Sequence, residues 1–144
     1  MAFTDIYAIA GSAMNAQTIR LNTVASNLAN ADAVAANPDD AYQALKPVFA
    51  TVYGKTQLTG DQANYPSAEV RIMDVVQHAG EAEKRFEPSN PLANEEGYVY
   101  YPDIDVVAEM ADMMSATRSF KTNVEVLSNV KSMQQGLLRL GEGN

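Results

Sequence analysis

The sequence has no cysteine, no tryptophan and one histidine, and its charge has no basic excess. Without cysteine there is no disulfide, no thiolate metal site and no cysteine nucleophile. His78 alone cannot build a multi-histidine metal centre. Eighteen acidic residues against ten basic ones leave a net charge of −8. That is the wrong sign for a protein that neutralises phosphates with clustered Lys and Arg, so no nucleic-acid partner is expected. No apolar run approaches the ~20 residues that span a membrane. The first ten residues carry Asp5 and no base, unlike the basic start of a secretory signal. The chain is expected to stay in the cytosol or to leave the cell by a route that needs no cleaved signal.

Large apolar residues are also scarce. Val, Ile, Leu and Phe make up 31 of the 144 residues, close to the ~20% below which a strongly charged chain is usually disordered. The hydrophobic fraction of 47% leans on 22 alanines, which bury little area. Catalytic arrangements are missing as well. The paired acids Glu81/Glu83 and Glu95/Glu96 sit in short acidic runs of the solvated kind. There is no Ser–His–acid arrangement, no glycine-rich phosphate loop and no EF-hand spacing. An enzyme, a metal, a cofactor and a small-molecule substrate are therefore not expected.

What is present is periodicity at both ends. Phe3, Tyr7, Ala10, Met14, Gln17, Leu21, Val24, Leu28 and Ala31 are spaced alternately by four and three. A period of 3.5 is the seam of a coiled coil. Thr4 suits a cap and Asp5 the first turn. A helix over residues 4–31 would be ~40 Å long. Asn15, Asn22, Asn27 and Asn30 lie off the seam, and Ile6, Ile9 and Ile19 add apolar surface there. Together they suggest a helix touched on more than one side.

The C-terminal segment repeats the pattern with Val106, Met110, Met113, Thr117, Phe120, Val124 and Leu127, widened by Val107 and Met114. Pro102 stops the chain ahead of it, Asp103 or Asp105 suits the cap, and Gly141 and Gly143 suit the end. The middle holds all six prolines and most of the net charge. Within it, residues 46–53 and 68–76 read as short strands and 54–66 as the hairpin loop between them. Residues 33–42 read as a flexible linker and 81–101 as an extended, turn-rich strap. The pattern predicts a mainly α chain with long N- and C-terminal helices paired as a coiled coil. A small β-containing, loop-rich middle would lie between them, giving segments 1–31, 32–102 and 103–144. Two long rods and a small sheet bury too little for a lone globule, so the helices should also pack on other chains.

Both ends resemble a known family. Residues 12–32 (SAMNAQTIRLNTVASNLANAD), with Leu21-Asn22 and Ala25-Ser26-Asn27-Leu28-Ala29-Asn30 at their centre, resemble the N-terminal signature of the flagellar rod and hook axial proteins. Residues 90–133 resemble the C-terminal signature of a proximal rod member. The matching elements are Asn90-Pro91-Leu92-Ala93, Gly97-Tyr98-Val99, Pro102, Glu109-Met110, Ser115–Phe120, Asn123-Val124 and Lys131-Ser132-Met133. The stretch after Asn30 departs from the Thr-containing, Gly-rich and basic run of many members. The chain also has no room for the large inserted domain of hook and distal rod proteins.

The resemblance implies a structural rod subunit in the basal body, within the periplasm, exported without a cleaved signal by the flagellar type III apparatus. Its partners would be proximal and distal rod proteins, neighbouring copies and the basal-body base. The intrasubunit seam would be Phe3, Tyr7, Ala10, Met14, Leu21, Val24 and Leu28 against Val106, Met110, Met113, Phe120, Val124 and Leu127. Ile6, Ile9, Asn22, Asn27, Asn30, Gly97, Met114, Arg118 and Asn123 would be family-motif or intersubunit residues. The rival reading is a coiled-coil adaptor or secretion chaperone with no filament role.

Overall fold

The computed structural model describes residues 3–55 and 66–142. Helix α1 runs Phe3–Asn30, followed by strands β1 (Ala44–Lys55), β2 (Pro66–His78), β3 (Glu83–Phe86) and β4 (Tyr98–Tyr101), then helix α2 (Val106–Glu142). α2 starts where the sequence places it. The Asp105 carboxylate accepts from the backbone N–H groups of Val107 and Ala108 at 2.9 and 3.1 Å, which satisfies two donors of the first turn. The helix continues through Gly141 to Glu142, so Gly141 does not close it, and Gly143 lies outside the described residues.

The helices pack antiparallel. Tyr7 meets Gln134, Arg20 meets Asp112 and Asn27 meets Glu109, so one chain position rises as the other falls. β1 and β2 pair antiparallel from Ala44↔His78 to Lys55↔Pro66, with a register shift at Val48/Phe49 that leaves Met73 as the extra residue. The expected hairpin loop falls mostly on residues 56–65, outside the described residues. The hairpin lies along α1. Leu45 touches Asn27 near one end and Val70, opposite Thr51, touches Ser12 further on. Fifteen helical residues span about 22 Å and six strand residues about 20 Å, so helix and strand keep pace.

The remaining strands form a second two-stranded sheet, Glu83↔Tyr101 to Phe86↔Tyr98. Gly97 closes its turn at φ +81, where a Cβ would stand 3.0 Å from the Phe86 ring and 3.2 Å from Pro88. Phe86 meets Tyr98 edge-on at 5.2 Å, and Lys84 and Arg85 lie over the rings of Tyr98 and Tyr101. Ala35 exchanges both backbone bonds with Tyr100 at 2.9 Å, which ties the segment after α1 to this sheet.

The mainly α expectation is therefore corrected. The fold is α+β, with a middle built of two antiparallel sheets where a loop-rich region was expected. β1 and β2 are 12 and 13 residues long, so they are not short strands. The strap carries β3 and β4, and the supposed linker carries the Ala35 bridge and a 3-10 turn at Pro38–Asp40. Among the described residues the buried apolar ones are Ala10, Ala16, Val24, Ala41, Ala44, Val99, Ala116 and Val130. Five of these eight are alanine, so the core is thin.

Candidate assembly surface

Of the stripe expected on α1, Ala10 and Val24 are buried, Phe3, Met14, Leu21 and Leu28 are half-buried, and Tyr7 sits at the exposed margin. The Tyr7 hydroxyl donates to Gln134 Oε1 at 3.1 Å, and Phe3 lies beside Leu137 and Leu138 of α2. The Gln17 side-chain oxygen is buried with no hydrogen-bond partner. Arg20 Nη2 bonds Asp112 Oδ1 at 2.6 Å across the helix pair.

On α2 the enclosed stripe holds Glu109, Met113, Ala116, Phe120, Asn123, Leu127, Val130 and Gln134, with Thr117 and Ser119 half-buried at its margins. Their spacing again alternates four and three. Among the described residues α2 packs extensively only on α1, so this is its α1-facing stripe. Met113, Phe120 and Leu127 of the expected seam belong to it. Val106, Met110 and Val124 lie on the open side. At 100° per residue, exchanging 110/117/124 for 109/116/123 turns the stripe by about 50°. The cause is legible in the residues. α2 carries apolar side chains on two faces, and the sequence-derived stripe ran between them.

The second face is the open one. Val107, Met110, Met114, Lys121 and Val124, with the half-buried Thr117 at the margin, follow the same alternating spacing, and Val107 and Met114 are 77% and 68% exposed. Beyond them Met133, Leu137, Leu138 and Leu140 are exposed towards the helix end. α1 has an open face too, of small and polar residues: Ala8, Asn15, Thr18, Asn22, Ala25 and Ala29, with Gly11 in register among them. Sequence reasoning missed this stripe, although a second search for alternating spacing would have found it.

The other expected motif residues separate into groups. Ile6 and Ile9 are half-buried, while Asn22, Met114 and Arg118 are exposed. The Asn30 and Asn123 amides donate back to the carbonyls of Ser26 and Ser119 at 2.8 and 2.9 Å. Gly97 serves the strap turn. Asn27 is 1% exposed and fully bonded within the chain, which removes it from the residues free to meet a neighbour. In the strap, two bonds from Arg85 hold the Glu83 carboxyl below the ordinary glutamate range, and the Glu87 carboxylate raises the Tyr101 hydroxyl.

The chain exposes 10254 Å². A compact monomer of 15.6 kDa would expose about 7,200 Å². The difference, about 3,000 Å², exceeds the ~1,600 Å² that a standard protein–protein contact buries. Among the described residues no three His, Cys, Asp or Glu side chains converge as metal ligands, and no helix is long and apolar enough to cross a membrane.

These features define a helical building block, closed along one seam and open on two others, of the kind that repeats into a larger body. Comparison with known proteins agrees. Residues 8–36 match the family model "Flagella basal body rod protein", and residues 95–140 match "Flagellar basal body rod FlgEFG protein C-terminal". The flagellar basal-body rod proteins FlgC of Escherichia coli O157:H7 and of Salmonella typhimurium are each 44% identical over 142 residues, covering 99% of this chain and all of the relative. The FlgC protein of Bacillus subtilis is 28% identical over 145 residues, covering 93% of this chain and 95% of its own. The chain belongs to the FlgC family of flagellar basal-body rod proteins. It is a structural subunit of the flagellar basal-body rod, a part that assembles with other rod components.

Proposed function

We propose that the chain is a proximal rod subunit that joins copies of itself and other proximal and distal rod proteins into a helical shaft carrying motor torque. It stands on the basal-body base, crosses the periplasm, and arrives through the flagellar type III export apparatus without a cleaved signal. The observation that carries this reading is the pair of open stripes flanking a closed seam. The Val107–Met110–Met114–Val124 face of one subunit lies on the small-residue face of α1, Ala8 to Ala29, of the next. Large side chains against small ones let two helices approach closely. The two faces differ, so the contact is head-to-tail, and a rotation that does not close yields a helical filament. The same period on both faces keeps them in step along several turns. In this reading Met114 and Arg118 meet a neighbour, as does Asn22 on the opposite stripe.

The test is circular dichroism and sedimentation of the purified full chain, alone and with other rod proteins. The rod reading expects a monomer alone, partly disordered at its ends, and larger assemblies with a further gain of helix on mixing. A stable, strongly helical homodimer at micromolar concentration would replace it with the adaptor or chaperone reading.

A further inference from the structure

Asn27 lies in the last turns of α1 and has no exposed surface to offer a neighbour. Its amide has two N–H donors and an oxygen with two lone pairs, and all four are engaged. Nδ2 donates to the Leu45 carbonyl at 2.9 Å and to Glu109 Oε2 at 3.2 Å. Oδ1 accepts from the Leu45 N–H at 2.8 Å and from the Tyr42 hydroxyl at 3.2 Å. The Tyr42 oxygen lies 3.0 Å from Ser26 Oγ, one residue back on α1.

Bonding both the N–H and the C=O of one residue is what a facing strand residue does in an antiparallel ladder. Asn27 therefore acts as a one-residue strand on the outer edge of β1. The edge assignment is independent of Asn27. Pro47, two residues on, has no N–H and points its nitrogen the same way, as a proline in a paired strand must. The same amide holds Glu109 in the first turn of α2, where the helix end favours a carboxylate. Arg20 is turned to Asp112, so among the described residues it is Asn27 that donates to the buried Glu109 side chain.

Two distant parts of the chain, residues 42–45 and the start of α2, thus end on one side chain of α1. The hairpin packs along α1, and a second side-chain bond to the helix has Ser12 Oγ accepting from the Val70 N–H at 3.2 Å.

We propose that the Asn27–Glu109 pair, acting through Leu45, is the joint that makes the β1–β2 hairpin turn with the helical pair. Asn27 and Glu109 are positioning residues for the outer layer of the subunit. The two family signatures meet at this joint, one contributing the amide and the other the carboxylate. The cellular consequence of the joint rests on the rod reading; its chemistry does not.

The test uses the full chain as the sole copy of its rod subunit in flagellated cells. Swimming restored by the unmodified chain is the condition for going on, and its failure would count against the rod reading and not the joint. Asn27→Asp removes the donor and sets two carboxylates and the Leu45 carbonyl against one another. It should reduce swimming roughly tenfold or more, at unchanged cellular protein level. Glu109→Gln alone should swim normally, because its oxygen still accepts from Asn27. The double variant should recover part of the loss, because the amide introduced on α2 donates to the carboxylate introduced on α1 while the Leu45 carbonyl stays without its donor. Leu45→Pro is the second variant, in case Asn27→Asp is degraded. It removes the N–H given to Asn27 and no bond to β2, and should also impair swimming. Normal swimming by Asn27→Asp, or impairment that Glu109→Gln leaves untouched, would overturn the joint. If Asn27→Asp is degraded, normal swimming by Leu45→Pro would do so.

Discussion

Val130 and Val124 lie on the same helix six residues apart, and they should fail in different ways. Val130 is 4% exposed on the α1-facing stripe, whereas Val124 is 45% exposed on the open face. Val130→Asp forfeits about 1.5–3 kcal/mol of apolar burial. It also places a carboxylate without a partner in the seam, for several kcal/mol more. That sum is comparable with the 5–15 kcal/mol by which an ordinary domain is held folded. Val124→Asp should change the stability of the single chain by no more than about 0.5 kcal/mol, as surface substitutions do, but it puts charge on the proposed contact with the next subunit. The assay pairs circular dichroism, in the presence of other rod proteins, with swimming of cells that carry each variant as their only copy. Val130→Asp should lose helix and swimming together. Val124→Asp should keep the α1–α2 pair and lose assembly. Loss of the helix pair in Val124→Asp with an intact pair in Val130→Asp would refute the reasoning and return the seam to the 106/110/117/124 stripe.

Other expectations follow from single contacts. Gly97→Ala forces a side chain into a left-handed backbone and against Phe86 and Pro88. It should cost about 1–2 kcal/mol, seen as faster hydrogen exchange in β3 and β4. Asp105→Ala should fray the first turn of α2 by about 1 kcal/mol, with faster exchange of the Val107 and Ala108 amides, while Asp105→Asn should retain most of the cap. The Glu83 carboxyl is held low by Arg85, so the pair's contribution is present above the ordinary glutamate range and fades as pH falls through the lower folded value. Arg85→Ala should return the Glu83 titration, followed by carbon NMR, to the ordinary range with little change in stability, because both groups are exposed.

The extent of the helices was legible because their signals are local. Heptad spacing, Pro102 and the Asp105 cap mark the start of α2 without help from the rest of the chain. The hairpin was legible for a similar reason, though Ala44, Leu45 and Gln77-His78 extend it beyond the β-branched core that marks a strand. β3 was not legible. Its residues, Glu-Lys-Arg-Phe, are all exposed, so burial imposes no alternation on them, and its pairing depends on a turn closed eleven residues later at Gly97. The phase of the α2 stripe was hidden because two apolar faces overlap within one helix. Asn27 was hidden most completely. An asparagine in a helix usually reads as a solvated residue, and its partners here lie 18 and 82 residues further along the chain.

The antiparallel helix pair also fixes an order of events. Its cross-links join residues 127, 92 and 82 positions apart, and their α2 partners lie in the final third of the sequence. A chain delivered from its N-terminus, whether by a ribosome or through a narrow conduit, cannot begin to close this pair until most of its length has emerged. α1 must wait, with its α2-facing side uncovered, for a partner made last. Contacts so far apart in sequence form slowly, and that delay is itself protective. Under the export route proposed above, the subunit stays threadable for as long as it is in transit and becomes stiff only on arrival.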